Sequence, residues 1–337
     1  MKKLFLFSVA ALAFCACSND TVVSDSNSVI QPKEISFSPL AKPNTRAAVD
    51  GTTFPTTISM QVAAYDVTND RNFFTHTQFD HSGEGTIWAG GKYWPLSAAY
   101  INFLAYTNFQ GTAGSETNGA TWATDEASQV TLVMTDNKTA QKDLMYAIGN
   151  GEVTNPSGNN LSFPDNVPMV FKHAQAWISF NADAFDATSG GKVTLKSITL
   201  NGAKYNGTYT ITHTNYDQNS GQDVAGAWSD LGSSANVVVP NWTSAAIAYD
   251  GSGNGVAVGD GLLIVPDADN GTADFTSFTI AYTLDGNDYT YTYTPAARNV
   301  DQAKHYIYNI VFHLHEIKIS ATVTDWTDQT PVDVPVI

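Results

Sequence analysis

Two side chains in this 337-residue sequence carry a thiol, Cys15 and Cys17. Both follow the pattern of an export signal. Lys2 and Lys3 form a positive n-region, and Leu4 to Phe14 form an apolar run of eleven residues. That run is about half the ~20 residues a membrane-spanning helix needs, and it fits the core of a secretory signal. Small residues then lead into Cys17 through Phe14-Cys15-Ala16-Cys17. The stretch resembles a lipobox, where a signal peptidase cuts before a cysteine that becomes diacylated. Cys15 is the rival acceptor, but the bulky Phe14 beside it disfavours a cut there. The competing reading is an ordinary secretory signal with two incidental cysteines. The expectation is a lipoprotein signal peptide over residues 1–16 and lipidation at Cys17.

Other reactive side chains are sparse. His313 and His315 share one side of an expected strand with Glu316 on the other, and no second histidine follows at metalloprotease spacing. Asp217-Gln-Asn219-Ser-Gly221-Gln-Asp223 and Asp267-Ala-Asp269-Asn-Gly271 look superficially like calcium loops. Both place glycine one position too early for an EF-hand, and neither has the closing glutamate. They read as turns, so no metal and no cofactor is expected. Seven tryptophans are present, at 88, 94, 122, 177, 228, 242 and 326. Most are expected in cores, with Trp228 and Trp242, in Gly/Ser/Asn-rich surroundings, the exposed pair. There is no nucleophile elbow, P-loop, Rossmann glycine pattern or zinc cluster, and the sequence predicts no enzyme.

These residues must be positioned by a chain with 16 basic and 32 acidic residues. Loss of Lys2 and Lys3 with the signal leaves 14 against 32, a net charge of −18. Such a balance argues against nucleic acid as a partner and against electrostatic binding to an anionic membrane. Two or three acyl chains anchor firmly where one does not. With Cys17 lipidated and Cys15 removed, no disulfide is available, so stability must come from burial. Charged residues are only 14% of the chain, and the remaining polar surface is rich in Thr, Asn, Ser and Gly, which favours strands and turns.

Residues 17–34 read as a flexible polar tether. Ile35-Ser36-Phe37-Ser38 alternates as a short strand, expected to end at Pro39 and Pro43 before an exposed loop with Arg46. Ile58, Met60, Val62 and Ala64 share one parity; Tyr100 to Tyr106 is a buried run; Val130 to Met134 alternates again. Pro164-Asp-Asn-Val-Pro168 is a break, giving expected domains over 35–167 and 168–337. Beyond it, a phase flip at Lys196-Ser197 predicts a bulge. Phe278 to Tyr293 predicts a hairpin around a four-residue turn, Asp285-Gly-Asn-Asp288. Tyr306 to Leu314 and Ile317 to Val323 predict two further strands. Only 138–146 and 299–305 have helical spacing, for a turn or two each. The pattern is all-β, with two antiparallel β-sandwich domains.

Several segments, in order and spacing, resemble the fimbrillin-like (Mfa-like) family of Gram-negative surface lipoproteins, the subunits of type V pili. They are Ile87-Trp88 with Tyr93-Trp94-Pro95 and Phe103-Leu-Ala-Tyr106, then Lys142-Asp-Leu-Met-Tyr-Ala147 and Val170-Phe-Lys-His-Ala174. Leu262-Leu-Ile-Val-Pro266 follows, with Asp267 where glutamine is usual, and then the closing strands ending at Trp326. The resemblance implies two tandem transthyretin-like sandwiches. It implies a non-enzymatic fimbrial subunit or adhesin, lipid-anchored at the outer membrane or built into a fimbrium. Its partners would be other fimbrial subunits and a host or bacterial surface ligand. In polymerising members, an Arg-specific protease cuts after the first strand, and the C-terminal strand of another subunit fills the vacated groove. Pro43-Asn-Thr-Arg46-Ala47-Ala48 matches that loop in position and type, and Arg46 and Ala47 are the expected processing residues. Val332, Val334 and Val336 alternate as a donor strand would, between Pro331 and Pro335. An uncut loop and a tail that merely edges its own domain are the alternatives. From a different class, the alternative is a glycan-binding surface lipoprotein of a nutrient-uptake system.

Overall fold

Alternating apolar and polar residues become strands along the whole chain, and no helix occurs among the described residues. The computed structural model describes residues 30–41, 54–83, 85–107, 128–155, 160–186, 192–213, 226–251, 255–267, 273–313 and 317–325. The chain divides into Met1–Gln31 and Pro32–Ile337, and the strands belong to the second part. In order they are β1 (Glu34–Ala41), β2 (Met60–Asp66), β3 (Arg71–His81), β4 (Trp88–Tyr93), β5 (Ala99–Thr107), β6 (Ser128–Met134), β7 (Met145–Val153) and β8 (Val167–His173). Then come β9 (Ala176–Ala184), β10 (Val193–Ala203), β11 (Gly207–His213), β12 (Gly226–Ser229), β13 (Ala235–Val238), β14 (Ala245–Ala246), β15 (Val256–Ala257) and β16 (Leu262–Ile264). The last are β17 (Ser277–Leu284), β18 (Asn287–Tyr293), β19 (Lys304–Phe312) and β20 (Ile317–Asp325).

Seven strands close a barrel in the order β1-β4-β3-β2-β5-β7-β8. Its interior is built from the inward parity of each strand: Met60, Val62 and Ala64 of β2 with Ile101, Phe103 and Ala105 of β5, and Met145 and Ala147 of β7. Two sheets face each other in the later part of the chain, β13-β10-β17-β18 with β14, and β15-β9-β19-β20 with β16. Their shared core includes Ile178 and Phe180 of β9, Ile198 and Leu200 of β10, Phe278 and Ile280 of β17, and Tyr308 and Ile310 of β19. A three-stranded sheet, β12-β11-β6, covers the outer parity of β5 and β7. Leu104, Tyr106, Tyr146, Leu132, Tyr209 and Ile211 meet there. This explains why β5 is buried on both faces along its length.

Several expectations change. β1 runs on through Pro39 to Ala41 rather than stopping at Pro39. β4 pairs with β1 only as far as Phe37, so at Pro39 one edge of β1 has no ladder for a missing N–H to break. The segment 138–146 forms a turn and the start of β7, and 299–305 forms a turn before β19, instead of helix. In each, partners elsewhere in the fold claim the backbone. Asn137 Nδ2 donates to the Lys142 carbonyl and its Oδ1 accepts from Lys142 N–H, while Ala303 N–H donates to the Gln175 carbonyl. The hairpin turn has two residues rather than four. Leu284 pairs with Asn287, and Asp285 and Gly286 both have positive φ, the geometry of a type I′ turn. The bulge at Lys196-Ser197 is present, as a register shift between Leu195 and Ser197. Residue 168 lies inside β8, which joins the barrel, and β6 pairs with β11 far along the chain. Strand pairing therefore continues across the expected boundary. Two pairings are parallel, β1 with β8 and β9 with β19, where antiparallel sheets were expected throughout.

Candidate assembly site: the first strand and its groove

The first strand lies directly before the segment that contains Arg46, and its neighbours in the barrel fix it in place. Its parity places Ile35, Phe37 and Pro39 inward, where all three are buried. Glu34, Ser36 and Ser38 are half-buried on the other face. The Phe37 ring lies edge-on to Phe79 at 4.8 Å and to Phe103 at 5.1 Å between centroids. β1 pairs antiparallel with β4 through Phe37↔Trp88, then parallel with β8 from Phe37↔Val167 to Ala41↔Phe171. It is the single strand that joins β4 to β8 and closes the barrel.

Polar contacts set the register at its start. Trp94 N–H donates to the Lys33 carbonyl at 2.9 Å, and Gly91 N–H donates to Glu34 Oε1 at 2.8 Å. The Ser36 hydroxyl lies 2.6 Å from Asn166 Oδ1 and 3.1 Å from the Asp165 carbonyl oxygen. Lys33 Nζ sits 2.6 Å from the Asp165 carboxylate and holds that carboxyl below its usual range. Asp165 is solvent-exposed, so this pair adds little. The strand is held by its ladders to β4 and β8 and by burial of Ile35, Phe37 and Pro39.

Phe54 begins the described chain on the far side of the segment that contains Arg46. Its ring packs against Phe171 at 4.6 Å and Trp88 at 5.4 Å. The chain after the expected cut is thus anchored in the barrel independently of β1. Cys17, Arg46, Ala47, Val332, Val334 and Val336 all lie outside the described residues.

The other sequence candidates are distributed elsewhere. His313 stacks on Phe185 with centroids 3.8 Å apart, and His315 and Glu316 lie outside the described residues, as do 217–223. Asp267 pairs with Lys204 at 2.7 Å. No group of three metal-ligating side chains occurs among the described residues. Trp228 and Trp242 are not an exposed pair. Trp228 Nε1 donates to the Ala174 carbonyl at 2.6 Å and its ring packs on Tyr209, while Trp242 Nε1 donates to the Leu195 carbonyl at 3.2 Å.

Sequence reasoning missed what the resembling segments do together. Asp143 and His173, each in a different segment, meet at 2.7 Å and are both buried. Ala174 N–H donates to the Leu144 carbonyl at 2.8 Å, and Leu144 N–H donates to Gln175 Oε1 at 2.9 Å. Gln141 Oε1, just before the Lys142 segment, accepts from Leu263 N–H of the Leu262–Pro266 segment at 2.6 Å. Their order along the chain was visible; their convergence was not.

The described strands form a closed barrel together with two facing sheets, an all-β architecture. The chain belongs to the fimbrillin-like family, whose model matches residues 45–326. None of the curated proteins matches. A solved structure from Bacteroides ovatus ATCC 8483, provisionally described as a cell adhesion protein, shares the fold at TM-score 0.51 and 13% identity, over 89% of this chain and 100% of that one. A protein of the same description from Bacteroides uniformis ATCC 8492 aligns at TM-score 0.49 and 15% identity, over 87% and 99% of the two chains. The fimbrial anchor protein Mfa2 of Porphyromonas gingivalis aligns at TM-score 0.36 and 9% identity, over 88% and 98%.

Proposed function

We propose that this chain is a fimbrial subunit of the cell surface, without catalytic function, that is lipidated at Cys17 for export and assembles by strand exchange after cleavage at Arg46. The carrying observation is β1. It supplies Ile35, Phe37 and Pro39 to the barrel interior while its polar ties are peripheral. Loss of residues up to Arg46 would expose that interior, at a cost of about 25 cal/mol per Å² of apolar surface. A neighbouring subunit's Val332, Val334 and Val336 would refill it, and a one-residue slip would turn the valines outward. Because the lipid leaves with the excised piece, a cut subunit is held by its neighbours.

The two tandem transthyretin-like sandwiches belong to this proposal. Their break is better read after His173, where the barrel ends and β9 enters the second core. The test is treatment of the purified lipoprotein with an Arg-specific protease. The expected product starts at Ala47 and forms ladders that resist SDS until strongly heated. A product that starts there and stays monomeric would remove the exchange mechanism and leave an anchored or tip role.

A further inference from the structure

Along their main paths the two facing sheets end in four edge strands, β13, β18, β15 and β20. Short strands and edge lysines are common protection against pairing with another chain. β13 has four residues, β15 has two, and β20 carries Lys318. β18 has neither protection. It runs for seven residues, Asn287-Asp-Tyr-Thr-Tyr-Thr-Tyr293, with no lysine, no proline and no register shift. Among the described residues no strand pairs with its outer side, and Asn287 to Thr292 are all exposed.

The hairpin decides which backbone groups are free. Leu284↔Asn287 closes the type I′ turn, so hydrogen-bonded pairs continue at Tyr282↔Tyr289, Ile280↔Tyr291 and Phe278↔Tyr293. Tyr289, Tyr291 and Tyr293 turn their N–H and C=O to β17. Asp288, Thr290 and Thr292 turn theirs to the open edge. The side chains follow the same alternation. On the core side Tyr293 packs on Phe278 at 5.2 Å and Tyr289 on Tyr282 at 5.6 Å between centroids. On the other side the Thr292 hydroxyl lies 3.4 Å from that of Thr279. The run Tyr289-Thr-Tyr-Thr-Tyr293 reads the same in both directions.

We propose that β18 is a docking edge for a second copy of this chain, joined antiparallel across a two-fold axis at Tyr291. In that register Thr290 of one copy exchanges both backbone bonds with Thr292 of the other. Tyr289 faces Tyr293, and the two Tyr291 side chains face each other. Aromatic pairs and Thr–Thr pairs are favourable neighbours across strands. The one charge on the strand, Asp288, falls opposite Thr294 and is already paired with Lys196 at 2.7 Å, so no like charges are opposed. An isologous contact of this kind closes at two copies. The β1 groove takes no part, so the docking edge stands whether or not strand exchange holds.

The test uses the uncut mature chain, residues 17–337, with Cys17→Ala so that neither a lipid nor another thiol contributes. Because β1 then fills its own groove, strand exchange is absent. Sedimentation equilibrium is expected to show reversible dimers. Thr290→Pro removes an outward N–H and no bond to β17, one in each half of the interface, and should weaken the dimer about tenfold or more. Thr290→Lys combined with Thr292→Lys keeps every backbone bond, sets like charges opposite each other and should weaken it similarly. Disulfide trapping reads the register. Opposed Cα atoms of a non-hydrogen-bonded pair are about 4.5 Å apart, within disulfide reach, so Tyr291→Cys should give a covalent dimer on mild oxidation. In Tyr289→Cys the two thiols lie about 14 Å apart along the strands and should not join. A parent that stays monomeric up to about 1 mM overturns the proposal. So does a dimer unchanged in both threonine variants, or one trapped equally by Tyr289→Cys and Tyr291→Cys. Deletion of 328–337 should leave the dimer intact; its loss would assign the edge to the C-terminal tail and overturn the pairing of β18 with itself.

Discussion

His173 Nδ1 lies 2.7 Å from Asp143 Oδ2 across thirty residues of sequence, and both side chains are buried. The other carboxylate oxygen, Oδ1, has no partner among the described residues. This contact fastens the turn before β7 to the end of β8, next to the point where the chain passes into β9. Removing one partner leaves a buried polar atom of the other without its hydrogen bond, which costs about 1–3 kcal/mol. Asp143→Ala is therefore expected to lower the urea midpoint by that equivalent. A loss below about 1 kcal/mol would show the pair to be incidental.

Phe37 offers a test that separates folding from assembly. Phe37→Ala removes a fully buried ring and is expected to cost the uncut protein about 3–5 kcal/mol. Once cleavage at Arg46 removes the strand, the same substitution should leave assembly unaffected. Unequal polymer yield after cleavage would mean that β1 stays in place.

Arg46→Ala is expected to keep the protein monomeric and lipid-bound. Deletion of 328–337 should leave a subunit that accepts a donor strand and gives none. Mixed with parent subunits, it should cap chains and shorten the SDS-resistant ladder. Ladders of unchanged length in both variants would end the exchange model.

Cys17→Ala should move the protein from the membrane fraction to the soluble one, while Cys15→Ala should not. Fractionation of the two variants decides it, and retention of the Cys17 variant would make Cys15 or another feature the anchor.

His305 predicts a pH effect. Its ring stacks on Trp177 at 3.7 Å, and Nε2 lies 2.7 Å from Ser179 Oγ. Burial pushes its pKa down from 6.5 to about 3. The unfolded chain takes up a proton near pH 6.5 and the folded chain does not, so stability falls as pH drops between those values. At pH 5 the loss from this residue is about 2 kcal/mol, at 1.36 kcal/mol per pH unit. Asp183 and Asp274, whose carboxyl pKa values burial raises, act with the opposite sign at lower pH. The test window is therefore pH 6.5 to 5. His305→Phe should flatten the urea midpoint there relative to the parent.

What the sequence by itself determined was local. The parity of β2 and β5, the bulge in β10, the hairpin of β17 and β18 and the presence of β19 and β20 were readable, because side chains alternate with period two whatever the strand pairs with. The strand before Arg46 was readable for the same reason. Period two says that one face is buried and not against what. Only the tertiary structure decided that β6 pairs with β11, that β8 belongs to the barrel, and that β1 runs parallel to it. It also packed Trp228 and Trp242 against their neighbours and joined Asp143 to His173. These outcomes depend on which distant surfaces compete for the same burial and the same backbone hydrogen bonds, and no window of neighbouring residues contains that competition.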